Sequence, residues 1–65
     1  MTMQIGKRIR ERRLALGWTQ QALALKLGIY SVSVSLWERG VKNPDLYRLE
    51  SIAKVLGCSV ADLVS

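Results

Sequence analysis

Apolar residues recur three and four positions apart along most of the chain, which is the spacing of one face of an α-helix. The clearest run lies in the last third of the chain, at Leu46, Leu49, Ile52, Ala53 and Leu56. Residues that end or start helices stand at positions 17, 28, 40, 44 and 57. Four of them are glycines and one is a proline, so the pattern divides into five short predicted helices.

Each predicted helix has start or stop signals of its own. The first ends at Gly17, and its helical spacing joins Ile5, Ile9, Arg12 or Arg13, and Leu16. The second follows the capping residue Thr19, ends at Gly28, and turns inward Leu23, Ala24 and Leu27. The fourth begins at Pro44-Asp45, and the fifth opens on a capping box formed by Ser59 and Asp62 and carries Leu63.

The segment "SVSVSL", residues 31–36, alternates polar and apolar positions as a half-buried strand does. No other segment of the chain offers a strand to pair with it, and a single strand leaves its backbone groups without partners. We therefore predict a third helix over residues 31–39. On a helix, Val34 and Trp37 point to the core, and the opposite side carries an exposed, mildly apolar patch of Ser31, Val32, Ser35 and Leu36.

Composition limits the chemistry that the chain can perform. With 65 residues it forms one small domain, over residues 1–65. Because it has one cysteine and no histidine, it can assemble neither a disulfide framework nor a zinc site. Cys58 is most simply a small core residue, and a reactive thiol is the alternative. No nucleophile–base pair, metal-ligand cluster or glycine-rich phosphate loop is present, so we expect no enzyme activity, cofactor or small-molecule substrate.

Charge is the first indication of a partner. The formal net charge is +5, and five of the ten basic residues lie within positions 7–13. Such a balance favours a polyanion, nucleic acid before a membrane surface, and a merely solvated helix face is the alternative. The longest apolar runs are far shorter than the ~20 residues that span a bilayer, so we expect a cytoplasmic protein without a membrane partner.

The stretch "TQQALALKLGIYSVSVSLWERG" reads as two short helices joined by a glycine-containing turn, the pattern of a helix-turn-helix. The segments on either side resemble the other helices of the same family of domains. Upstream, "IRERR" is similar to the first helix, and downstream, "NPDLYRLESIAKVLGCSVADLV" is similar to the fourth and fifth helices. Over nearly its whole length the chain resembles the phage-repressor and Cro-type (XRE) DNA-binding domains. The resemblance implies an all-α, compact five-helix fold of the lambda-repressor type, with the helix-turn-helix at residues 19–39.

The resemblance also implies a function and a site. Such domains bind double-stranded DNA sequence-specifically, usually as homodimers on palindromic operators, and regulate transcription, here as a nucleoid-associated repressor. Matched by position, the base-reading residues are Gln20, Gln21, Tyr30, Ser31, Val32, Ser35 and Leu36. The residues that would contact phosphates are Gln20, Arg12, Arg39, Lys42 and Asn43, with Arg8 and Arg10 as weaker candidates. Gln20 suits either a phosphate or the outermost base.

The sequence departs from the family pattern at the third helix. Tyr30 stands where a small polar cap is usual, so we expect that helix to begin at Ser31. The outer face of this helix lacks the Gln, Asn, Arg and Lys side chains that make two-bond contacts with bases. The remaining means of sequence recognition are a contact of Val32 with thymine methyls, contacts by Gln20 and Gln21 from the side, and DNA shape. Leu25 and Leu36 are expected to be exposed, as surface leucines, as parts of a protein interface or, for Leu36, as a methyl reader.

The resemblance further places Arg13 and Glu38 together as a partly buried ion pair, and a phosphate contact by Arg13 is the alternative. Two other functions remain open for the chain as a whole. One is an interaction module of the same fold, antitoxin-like or regulatory, whose reading face binds protein. The other is binding of RNA or a membrane surface by the basic first helix, although that helix lacks aromatic stacking residues and a strongly apolar stripe.

Overall fold

The computed structural model describes residues 4–64, and all regular structure in that range is helical. The helices are α1 (Ile5–Ala15), α2 (Gln20–Leu27), α3 (Ser31–Glu38), α4 (Leu46–Leu56) and α5 (Val60–Val64). The all-α, five-helix prediction is therefore confirmed, and the alternating segment lies entirely within α3. The predicted domain limits, residues 1 and 65, lie outside the described residues.

The predicted helix caps are confirmed in hydrogen bonds. Thr19 Oγ1 accepts from the Ala22 backbone N–H at 3.0 Å. Asp45 Oδ1 accepts from the Arg48 N–H at 2.8 Å. Each bond satisfies one of the N–H groups that a helix start leaves without a partner. At the other ends of α2 and α4, Gly28 and Gly57 adopt the left-handed conformation, at φ 70° and 75°, which other residues adopt only with strain.

The last helix starts with the reciprocal bonds of a capping box. The Asp62 N–H donates to Ser59 Oγ at 3.1 Å, and the Ser59 N–H donates to Asp62 Oδ2 at 3.0 Å. These bonds fix the start of a helix of only five residues, which is too short to be stable without caps and packing. Leu63 is thereby carried into the core, where it is fully buried.

The core lies where all five helices meet. Helix α3 packs against both α1 and α2, α4 packs against α2, and α5 closes the domain against α1 and α4. Each helix contributes buried apolar residues, and Leu27 and Cys58 pack half-buried at the margin. The buried apolar residues are Ile5, Ile9, Leu23, Ala24, Val34, Trp37, Leu49, Ile52, Ala53, Leu56 and Leu63.

Two leucines that match the helical spacing do not reach the core. Leu16 follows the last residue of α1, and Leu46 is the first residue of α4, so both lie at helix ends where no neighbouring helix covers them. Both are exposed. Helical spacing does not separate them from the core residues, because the periodicity continues past the point where the packing partner ends.

Leu36 differs from its prediction in the opposite direction. Its side was expected to be exposed, but the residue is half-buried. The segment after α3 turns at this residue: the backbone N–H groups of Val41 and Lys42 donate to the Leu36 carbonyl oxygen at 3.0 and 3.3 Å. Helical spacing gives the direction of Leu36 but not its degree of burial.

The contact between α1 and α3 depends on a glycine. Gly6 is buried in the first turn of α1, and its Cα lies so close to the Trp37 backbone that any Cβ would collide with the Trp37 carbonyl oxygen. A second clash would follow with the Glu38 Cα at 3.1 Å. Since the obstacle is backbone on both counts, a larger residue at position 6 would push the two helices apart.

Candidate nucleic-acid interface

Helix α3 presents one side to the core and the other to solvent. Val34 and Trp37 are buried, whereas Ser31 is exposed and Val32 is 58% exposed. Ser35 and Leu36 continue the outer side but are half-buried. The outer side is therefore most open at its N-terminal end, at Ser31 and Val32.

Two large side chains are exposed near the start of α3, Leu25 on α2 and Tyr30 in the turn before α3. Tyr30 is the N-cap residue in extended conformation and its side chain makes no capping bond, so the start of α3 at Ser31 is as predicted. Tyr30 is 84% exposed and Leu25 is 81% exposed, which agrees with the expectation for Leu25. Together they flank a shallow groove between α2 and α3 whose lining residues are Gln21, Ala24, Leu25, Ile29, Tyr30 and Ser31.

The two glutamines at the start of α2 have different surroundings. Gln21 is exposed and free to meet a ligand, and it lies beside the start of α3. Gln20 is half-buried, and its Nε2 donates to Glu38 Oε1 at 3.1 Å. Because a carboxylate only accepts, this bond holds the amide with its nitrogen inward. The sequence gives no sign of this contact, since the two residues are 18 positions apart.

Glu38 is also the partner of Arg13. Arg13 Nε donates to Glu38 Oε2 at 2.7 Å, and Nη2 donates to Oε1 at 2.8 Å. The third nitrogen, Nη1, donates to the Trp18 carbonyl oxygen at 2.7 Å. The two side chains are 8% and 3% exposed, so the structure brings them together as a buried, two-bond ion pair. With all its nitrogens engaged inside the fold, Arg13 is not available to a phosphate.

These contacts keep Arg13 charged. The hydrogen bonds that the guanidinium donates to Glu38 raise its pKa above the ordinary value, against the opposing effect of burial. The pair joins α1 to α3, and the bond to Trp18 adds the turn between α1 and α2. The network therefore fixes the start of α2 relative to α3, the two segments on which the candidate base-reading residues lie.

The basic residues divide between two sides of the domain. Arg39, Lys42 and Asn43 are exposed at the end of α3 and in the segment after it. Arg12 is not brought to that side: its Nη2 lies 3.8 Å from Asp62 Oδ2 on α5. Because successive residues of a helix are about 100° apart, Arg12 points toward α5 when Arg13 points toward α3. The Arg12 side chain is still 42% exposed, so its contact with a phosphate stays a prediction.

The remaining chemistry of residues 4–64 is sparse. Within this range no three side chains among the His, Cys, Asp and Glu residues come together as metal ligands. The described helices also include none with the length and apolar character that crossing a bilayer requires. Burial raises the pKa of the Cys58 thiol, which keeps it protonated and favours a packing role over a reactive one.

The sequence model described as helix-turn-helix matches residues 9–63, most of the chain. The chain belongs to the phage-repressor and Cro-type helix-turn-helix family. Among its relatives, the transcriptional regulator DicA of Escherichia coli is 51% identical over 57 residues. Repressor protein C2 of Salmonella phage P22 is 40% identical over 58 residues. The matches cover 88% and 89% of this chain but 42% of DicA and 27% of C2, so the chain spans less than half the length of either relative.

Solved structures share the whole fold of this family member. The P22 c2 repressor in complex with a synthetic operator superposes with a TM-score of 0.90 at 38% identity, over 98% of this chain and 97% of that one. SinR in complex with DNA superposes with a TM-score of 0.85 at 37% identity, over 91% and 95%. Hydroxypropylphosphonic acid epoxidase also matches, with a TM-score of 0.88 at 31% identity, but over 34% of its chain.

Proposed function

We propose that this domain binds double-stranded DNA sequence-specifically and regulates transcription, as a repressor that occupies a palindromic operator as a homodimer. The observation that carries the proposal is the open N-terminal end of α3, where Val32 is exposed between two small serines. The P22 c2 repressor, with the same fold, forms a complex with a synthetic operator. A helix of this kind enters the major groove by its N-terminal residues.

In this arrangement the residues of α2, α3 and the segment after α3 contact different parts of the DNA. Val32, Ser31 and Gln21 face base edges, and the serines allow the helix backbone to come close. Arg39, Lys42 and Asn43 contact phosphates, which position the domain without reading sequence. Gln20 has one amide N–H committed to Glu38 and contacts DNA through its remaining polar atoms. Ser35, Leu36 and Tyr30 lie at the margins of the reading surface.

A single domain of this size reads few base pairs, which supports a two-fold dimer on DNA. The centres of the half-sites should then lie about one helical turn, roughly 34 Å, apart. The dimer contact would use the segment 40–44, where Val41 is exposed, and the last helix. Because that surface is small, we expect a weak dimer in solution and a stable one on the operator.

Selection of binding sites from random duplexes tests the proposal. Recovery of one motif with two-fold symmetry and half-sites one helical turn apart is the expected result. A motif without symmetry would contradict the dimer and leave sequence-specific binding intact. Recovery of no motif, with no binding to any duplex at low salt, would contradict the proposed function.

An interaction module of the same fold is the second candidate. It is favoured by one observation, the groove between α2 and α3 whose rim carries Leu25 and Tyr30, both highly exposed. A salt titration with random duplex DNA separates the two. Phosphate contacts make affinity fall steeply with salt, whereas a protein-binding module shows little affinity for the duplex at any salt concentration.

A further inference from the structure

A cavity lies between the first turn of α1 and the end of α3. Its lining residues are Gln4, Ile5, Gly6, Lys7, Glu38, Arg39, Gly40 and Asn43. Two of them, Arg39 and Asn43, are already candidates for phosphate contacts. Besides the exposed amide of Gln4, the cavity wall includes Lys7, which the sequence alone does not connect with Arg39 and Asn43 because it is more than 30 positions away.

We propose that this cavity binds a backbone phosphate of duplex DNA, with Lys7 and Arg39 as its cations and Asn43 as a neutral donor. The inference rests on the proposed DNA binding and extends it, since it adds α1 to the contact surface. A phosphodiester offers only acceptor oxygens, and all three side chains carry N–H donors. The guanidinium provides a fork for two oxygens and the ammonium a mobile point charge.

The charge of the cavity is positive although Glu38 forms part of its wall. The Glu38 side chain is 3% exposed, and its two oxygens accept from Arg13 at 2.7 and 2.8 Å. Its charge is therefore neutralised within the fold and not presented to a ligand. Lys7 and Arg39 are exposed, and among residues 4–64 no carboxylate oxygen lies within 4.0 Å of their nitrogens. Both cations are thus available to an anion.

The shape of the cavity depends on the same glycine that allows α1 to approach α3. Gly6 brings the first turn of α1 against the backbone of Trp37, and this contact carries Lys7 to the side of Arg39. Gly40, on the opposite wall, has no side chain to narrow the opening. The cavity therefore forms only when α1 packs against α3. Loss of this packing would also remove the proposed phosphate contact.

Replacement of Lys7 by glutamine tests the inference, with Lys54→Gln as the matched control. Both substitutions remove one positive charge from an exposed position on a helix, but Lys54 lies near the end of α4 and does not line the cavity. Binding to the selected operator and to a random duplex is measured against salt concentration. The loss of one phosphate contact lowers the slope of log affinity against log salt by about 0.9.

For Lys7→Gln we expect that lower slope on both duplexes and an unchanged preferred sequence. Between 50 and 200 mM salt, wild type should lose roughly 3.5-fold more affinity than this variant, which is the effect of one phosphate. For Lys54→Gln we expect the wild-type slope. Equal slopes for the two variants would overturn the inference. No salt-dependent binding by wild type would instead overturn the proposed function.

A second measurement locates the phosphate. Operators that carry a single neutral methylphosphonate at successive positions are combined with Lys7→Gln. At one phosphate per half-site the two changes should weaken binding non-additively, because each removes the same contact. Additive losses at every position would contradict a direct contact, and circular dichroism melts confirm that the variant remains folded.

Discussion

Arg13 and Glu38 meet through two parallel hydrogen bonds, Nε to Oε2 at 2.7 Å and Nη2 to Oε1 at 2.8 Å, although they are 25 positions apart. The same carboxylate also accepts from Gln20, at 3.1 Å. One buried acidic side chain therefore connects α1, the start of α2 and the end of α3. Glu38 therefore contributes both to stability and to the position of α2 relative to α3.

Replacement of Glu38 by glutamine should destabilise the domain severely. The substitution leaves the Arg13 guanidinium buried without a counter-charge, which costs about 3–5 kcal/mol in a buried pair. A chain of this size has a total unfolding free energy of only roughly 3–10 kcal/mol. We expect the melting temperature by circular dichroism to fall by roughly 12 °C or more.

Glu50→Gln is the control for that experiment, because Glu50 is exposed on α4. Its melting temperature should stay within a few degrees of wild type. A Glu38→Gln variant as stable as Glu50→Gln would mean that the pair contributes nothing to stability.

Replacement of Gly6 by alanine should destabilise the domain, although alanine is the better helix former by about 1 kcal/mol. The new Cβ would collide with the Trp37 carbonyl, a backbone atom that cannot rotate away. Chemical denaturation measures the loss, and Lys7→Ala, at the next and exposed position of α1, is the control. A gain in stability for Gly6→Ala would show that α1 and α3 separate at little cost.

Acid should remove a stabilising effect that belongs to Asp62. Hydrogen bonds from the Ser59 backbone and side chain, together with Arg12 nearby, hold the pKa of this carboxyl below its ordinary value of 3.8. A pKa lower in the folded state stabilises above the unfolded pKa, and the effect disappears as pH falls through the folded pKa. Asp62→Asn should therefore be less stable than wild type at pH 7, and the difference should shrink below pH 3.8. A difference that does not change with pH would contradict a role of the charge.

Val32 should contact a thymine methyl group in the operator. Its side chain is 58% exposed, and thymine's methyl is the apolar group that a major groove offers. Val32→Ala should weaken binding by about 0.8 kcal/mol for each CH₂-sized group that returns to water. Fluorescence anisotropy with the selected operator measures this loss. As a control, the Val32→Ala variant should have the wild-type melting temperature, which shows that its fold is intact.

Thymine-to-uracil replacement identifies the partner of Val32, since uracil lacks only that methyl group. Combined with Val32→Ala, it should give a non-additive loss at one thymine of each half-site. If the losses add at every thymine, Val32 supports the helix by packing on Tyr30 or Leu36, and specificity rests on the glutamines and DNA shape.

Local interactions explain why the helices could be predicted from sequence. Thr19, Asp45 and Ser59 accept hydrogen bonds from backbone N–H groups three positions away. Gly28 and Gly57 end α2 and α4 by adopting the left-handed conformation. Such signals depend on neighbours in the chain. The alternation in residues 31–36 is typical of a strand, but no other segment of the sequence could pair with it. That property of the whole sequence was sufficient to predict α3.

Contacts between distant segments determined the rest. The approach of Gly6 to Trp37, the bond of Gln20 to Glu38 and the cavity that places Lys7 beside Arg39 all join residues more than 15 positions apart. Leu36 was expected to be exposed and is half-buried, and helical spacing alone could not show this. The sequence by itself determined where helices begin and end and which side of each is apolar, because capping and periodicity act within a few residues. Only the tertiary structure decided which apolar and charged side chains have a partner, because that depends on how the helices dock and where the loops return.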